Sequence, residues 1–148
     1  MVVDTLDTDK ALRDLINEND NCALNGTKRD ERIASLLVLS LLSPARAKEA
    51  CISLLINSEK DPKVAEQACL TLADIIEAGP DRSKNQIAQA RTSLSIYYES
   101  GKPGAKTAFD CMNRVINKDL KRLGIGPEQR INYPKPKQQK QAAIREVK

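Results

Sequence analysis

Histidine is missing from all 148 residues of the chain, and tryptophan is missing with it. The first absence takes away the usual general base, the side chain that titrates near neutral pH and the commonest metal ligand. Cysteine occurs four times, as Cys22, Cys51, Cys69 and Cys111, but never as a Cys-x-x-Cys pair. Zinc-ligand spacing and a dithiol redox motif are therefore both lacking. The chain also has no phosphate-cradling Gly-x-x-x-x-Gly-Lys-Ser/Thr loop, no Gly-x-Ser-x-Gly elbow and no His-Glu-x-x-His helix. These gaps argue against an enzyme: no catalytic residue, no cofactor and no metal site is expected. The GIGPEQ stretch at 124–129 does not fill the gap. It follows a predicted helix and leads into none, so Gly124 reads as a C-cap and Pro127 as a stop.

Long apolar runs are scarce too. The longest, IASLLVLSLL at 33–42, is about half of what a membrane-spanning helix needs, and it reads as a central buried helix. The amino terminus, MVVDTLDTDK, has acids where a secretory signal carries bases and then apolar residues. A cytoplasmic protein with reduced, buried thiols is expected, with no membrane partner. Aromatic residues are limited to Tyr97, Tyr98, Phe109 and Tyr133. A core without them must be aliphatic and rich in alanine, which suits closely packed helices and not a sheet.

What remains is helical punctuation. Thr8 can cap a helix over 9–18, in which Leu12, Leu15 and Ile16 keep an i, i+3, i+4 rhythm. The Asn-rich stretch 19–27 reads as a loop, and a second helix follows over 28–42. Ser43-Pro44 and Asp61-Pro62 each combine a cap with a proline at a helix start. They open helices over 45–57 and up to Gly79-Pro80. A fifth helix from Asp81 to Gly101 and a sixth over 104–123 complete the set. The fold class is all-α, a single-domain helical bundle or short α-solenoid of about six helices. Its divisions are an acidic segment at 1–8, a helical domain at 9–123 and a flexible basic tail at 124–148. QACLTLADIIEAG at 67–79 echoes QARTSLSIYYESG at 89–101 and hints at stacked units, although a 22-residue offset is short for the familiar helical repeats. A helix-turn-helix over 70–91 fits poorly, because Asp81 is unwelcome facing phosphate.

Charge is divided along the chain more sharply than the net +4 suggests. Residues 1–20 hold six acids against Lys10 and Arg13, whereas residues 121–148 hold eight bases against Glu128 and Glu146. From Arg130 the tail, INYPKPKQQKQ, has no periodic apolar residues and two prolines, and is expected to be mobile. Alternating Pro-Lys sets its bases along a line that can follow a phosphate backbone. Lys121, Arg122, Arg130, Lys135, Lys137 and Lys140 are the candidate nucleic-acid contacts, with Tyr133 free to stack on a base.

One local pattern points further. Leu123, Gly124, Ile125, Pro127 and Arg130 close a helix and release a polar tail, and this stretch resembles the closing motif of phage terminase small subunits. Gly126 stands where that family usually has Thr or Ser. The layout before it, IYYESGKPG followed by AKTAFDCMNRVINKDLKRLG, is similar as well, so the likeness runs from about Ile87. The resemblance implies a non-catalytic, self-associating DNA-binding subunit that passes viral DNA to a separate packaging ATPase in the host cytoplasm. Without it, the same residues also fit a helical-repeat adaptor that binds a protein in a groove between the fourth, fifth and sixth helices and leaves nucleic acid alone.

Overall fold

Two cap-and-proline pairs punctuate the middle of the chain, and each opens a helix. Ser43 accepts a hydrogen bond from the Arg46 amide at 3.3 Å, with Pro44 in the first helical position. Asp61 accepts from the Lys63 amide at 3.0 Å, with Pro62 next to it. In each case proline sits where its missing N–H would have had no partner. The computed structural model describes residues 2–79 and 84–122, with side chains over 8–79 and 85–118. Its elements are α1 (Val2–Asn25), α2 (Arg29–Leu42), α3 (Pro44–Ile56), α4 (Pro62–Ala78), α5 (Lys84–Glu99) and α6 (Ala105–Arg122). The described residues contain no strand, as the composition required.

Each helix packs on the next helix and on the next but one, and substantial packing goes no further. Three hairpins, α1–α2, α3–α4 and α5–α6, are therefore stacked in a row. One layer holds α1, α3 and α5, and the other holds α2, α4 and α6. That is the contact pattern of a short α-solenoid. The side-chain bonds fix the directions. Arg29 Nε meets Asp61 Oδ2 at 2.8 Å, which sets the starts of α2 and α4 side by side. Arg114 donates to Asp74 and Glu77, and Lys118 Nζ donates to the carbonyls of Glu77 and Gly79 at 3.2 and 3.1 Å, so α6 runs parallel to α4 and reaches the same level. Arg32 Nε donates to the Ala23 carbonyl at 3.1 Å across the first hairpin, which makes α1 antiparallel to α2. The amino end of α1 and the carboxyl ends of α2, α4 and α6 therefore share one end of the stack.

The core runs continuously through the stack. Leu36 and Leu39 of α2, Leu55 of α3, Val64 and Leu72 of α4, Leu94 and Tyr97 of α5, and Met112 and Val115 of α6 are fully buried. Between them Ala47, Ala65, Ala68, Ala73, Ala90 and Ala108 expose almost nothing. These methyl side chains let the helix axes approach closely. Tyr98 stacks on Phe109 with ring centroids 5.9 Å apart, joining α5 to α6. The turn between those helices needs Gly101 at φ 72° and Gly104 at φ 98°, a region that favours glycine. Tyr97 Oη donates to the Pro103 carbonyl there at 2.7 Å.

Three sequence readings change. The stretch 19–27 is not a loop up to Asn25, because α1 continues through it. Asn19 Nδ2 donates back to the Leu15 carbonyl and Asn25 Nδ2 to Asn21 Oδ1, both at 2.9 Å, while Ala23 is buried against the neighbouring helices. Tertiary packing overrides the local preference of asparagine for turns. The helix also begins at Val2, ahead of the expected Thr8 cap. Third, α2 is not buried all round, since its outer face is open to solvent. The echo between 67–79 and 89–101 is real in burial: Ala68 and Ala90, Thr71 and Ser93, Leu72 and Leu94, and Ile76 and Tyr98 are all buried. It does not mark a repeat, because α4 and α5 belong to different layers, and Gly79 is extended at φ −76° where Gly101 is left-handed.

Position in the stack predicts mutational cost. Leu72→Ala, in the central hairpin, should lower unfolding free energy by about 2–5 kcal/mol. Leu41→Ala, at an 84% exposed site, should change it by less than about 0.5 kcal/mol. Denaturant titration of the two variants measures both.

Candidate interaction surfaces

The six bases singled out in the sequence are not brought together by any contact that can be described. Lys121 and Arg122 close α6, but their side chains lie outside the described residues, as do Arg130, Lys135, Lys137 and Lys140. Four arginines of the described body are held by acidic or amide partners. Arg29 is held by Asp61, Arg32 by Glu59, Arg46 by Asn17 and Asp20, and Arg114 by Asp74 and Glu77. Each guanidinium thus faces carboxylate oxygens, which blunts its attraction for a polyanion.

The best enclosed of these pairs organises the α3–α4 turn. Arg32 Nη1 and Nη2 reach the two oxygens of Glu59 at 3.0 and 2.5 Å, with side chains only 12% and 10% exposed. Glu59 also accepts from the Asp61 amide at 2.8 Å. Burial alone would push the Glu59 carboxyl up, but the hydrogen bonds from Arg32 and the Asp61 amide outweigh it and hold the group below its ordinary range. Gly26, whose amide closes α1 on the Cys22 carbonyl at 2.8 Å, lies close beneath this pair. A Cβ there would run into the Cys22 carbonyl and stand 3.1 Å from Arg32 Cγ. The residues are tied to one another and have structural employment.

The cysteines are equally occupied. All four are free, and Cys51, Cys69 and Cys111 are buried. Desolvation pushes the Cys51 thiol up to about 12 and the Cys111 thiol to about 11, and it raises Cys69 as well. Such groups stay protonated and act as small apolar fillers, not nucleophiles. Among the described residues no cluster of Cys, Asp and Glu is arranged to hold a metal ion, and no helix is long and apolar enough to cross a membrane.

The surface that sequence reading missed is on α2. Ala34, Leu37, Val38 and Leu41 follow an i, i+3, i+4, i+7 spacing and all face solvent, with Leu37, Val38 and Leu41 exposed by 46%, 37% and 84%. Leu37 borders a groove whose other wall includes Thr71, Ile75 and Ala78 of α4 and whose floor is near Pro44 and Ala45. Where α4 meets α6, by contrast, Arg114 and Lys118 cross the seam. The signal was present in IASLLVLSLL, which is apolar on every side, while the outer layer of a two-layer stack can bury only one of those sides.

Compared with models of known protein families, with curated proteins and with solved structures, the chain matches none.

Because Glu59 is held below its unfolded value, its share of stability is present above the ordinary carboxylate range and is lost as pH falls through the lowered value. Glu59→Gln should therefore cost about 2–3 kcal/mol at neutral pH, leaving Arg32 poorly paired. The gap between the two proteins should narrow as the buffer is taken from about pH 6 to about pH 3. Thermal midpoints of both proteins across that range supply the measurement.

Proposed function

We propose that the chain is a non-catalytic α-helical-repeat binding module that takes a protein partner on the outer face of α2. The observation that carries this reading is the Ala34, Leu37, Val38 and Leu41 stripe beside the α2–α4 groove. An exposed apolar stripe at helical spacing suits an amphipathic helix of a partner, which covers leucines that otherwise remain in water. The four arginines paired with carboxylates support it from the other side, since those guanidiniums have little to offer a phosphate backbone. A cytoplasmic setting accords with four unpaired cysteines. The double variant Leu37→Glu, Leu41→Glu should keep its helicity and lose at least about tenfold in affinity for a co-purifying partner, as expected for hot-spot residues. Undiminished retention of that partner by the folded variant sinks the reading.

A second reading rests on a different observation, the eight bases among residues 121–148. In it the chain is a self-associating DNA-binding subunit that works beside a packaging ATPase, and the nucleic-acid contacts are made by Lys121, Arg122, Arg130, Lys135, Lys137 and Lys140. With about four phosphate contacts, the DNA-binding constant should fall with salt at a log-log slope near −3.6. Removing residues 131–148 should flatten that slope and leave helicity unchanged. Equal slopes for the intact and shortened proteins count against DNA contact by the tail.

A further inference from the structure

We infer that the chain forms a twofold dimer in which the outer faces of α2 and α4 pack on the same faces of a second copy. The inference rests on the reading that the outer face of α2 takes a protein partner, and it names that partner. Along α2, Ala34 and Leu41 share the centre of the exposed face, with Leu37 on the side towards α4 and Val38 on the other. The face carries both a gap and a knob. Ala34 ends at a methyl group, whereas Leu41 is 84% exposed.

That spacing is symmetric about its own midpoint. A twofold axis in the plane of contact, perpendicular to the helix and crossing it between residues 37 and 38, seats Leu41 of each copy over Ala34 of the other. Leu37 and Val38 then meet their own copies on either side of that line. Large residues set against small ones let two helical faces interlock. Docking of a foreign helix places no such demand on the stripe, whereas docking of a second copy requires it.

The other helix of the face obeys the same axis. The Arg29–Asp61 bond, together with the groove that sets Leu37 and Ser40 against Thr71 and Asp74, puts residue 37 of α2 level with residues 69–71 of α4. Leu70 lies there, 40% exposed on the outer side of α4, and it is the one large apolar residue that this helix exposes. It therefore falls on the axis and meets Leu70 of the second copy. The axis also brings Lys63 opposite Glu77 of the second copy, both partly exposed. Glu66 and Asp74, the like charges at the next matched level, lean to different sides of α4 and are held by Lys63 and Arg114 of their own chain. Two helices of 14 and 17 residues, roughly 10 Å wide each, give a face of about 400–500 Å² in projection. That is at the low end for a specific contact, so the dimer is weak.

Sedimentation equilibrium of the full chain over about 5–300 μM tests the inference, with a dissociation constant on the order of 10–100 μM expected. Leu41→Glu and Leu70→Glu, both at exposed sites, should each keep native helicity and weaken the dimer at least about tenfold. Ala34→Leu should weaken it too, by filling the gap. Adding Leu41→Ala to that variant should bring the affinity back to within about threefold of the native value, because the pair exchanges knob and gap. In a Cys22→Ser background, a short bismaleimide should join Leu70→Cys chains to one another. Ile56→Cys chains, altered at an exposed site on the opposite layer, should stay monomeric. A native chain that is monomeric throughout the concentration range overturns the proposal. If Leu37→Glu, Leu41→Glu then still releases a co-purifying protein of different sequence, the reading of α2 survives without the dimer. Dimers that persist in folded Leu41→Glu and Leu70→Glu also overturn it, as does failure of Leu41→Ala to rescue Ala34→Leu.

Discussion

No hairpin in this chain can bury its apolar surface by itself, and the rest of the structure follows from that constraint. Two helices with few aromatics and many alanines have too little apolar area between them to offset the entropy of ordering. Stacking a third and fourth helix on the first two supplies the missing partner surface, and the α3–α4 hairpin receives it on both sides. Leu55, Val64, Ala65, Ala68 and Leu72 are consequently buried without remainder, while residues 8–15 of α1 stay in water. Stability in such a stack is a sum over neighbours, highest in the middle.

Charge in the body is used to hold the stack in register. Arg29 and Arg32 tie the first hairpin to the α3–α4 turn, Arg46 ties α3 back to α1, and Arg114 ties α6 to α4. Each joins residues far apart in sequence but adjacent in the layers. Guanidinium suits the task because its planar fork meets a carboxylate in fixed geometry. The cost is that these cations are spent internally.

Local punctuation was the legible part. Pro44 and Pro62 sit at the starts of α3 and α4 where capping logic puts them, and α6 runs over nearly the expected residues. The stretch 19–25 was misjudged because asparagine's turn preference is a local quantity, whereas Ala23 and Asp20 are fixed by contacts with other helices. IASLLVLSLL was misjudged for a related reason: hydrophobicity shows that a segment wants burial, and layer position decides how many of its sides obtain it. The candidate bases were chosen by charge density and by the extended spacing that alternating Pro-Lys imposes. Whether they converge on one ligand cannot be read from a one-dimensional pattern.

Tyr97 has a consequence for how this protein is observed. With no tryptophan in the chain, its near-ultraviolet signal comes from tyrosine, and both tyrosines of the described core sit on α5, against α6. Tyr97 is further marked by its bond to the Pro103 carbonyl and by burial that pushes its phenol up to about 12. The Tyr97 and Tyr98 rings therefore watch the third hairpin. The first hairpin, which has no aromatic residue, contributes only to the backbone signal and is silent at those wavelengths. The part of a melting curve that comes from these two rings describes one end of the stack, and agreement with the amide curve is what would license a single midpoint for the whole.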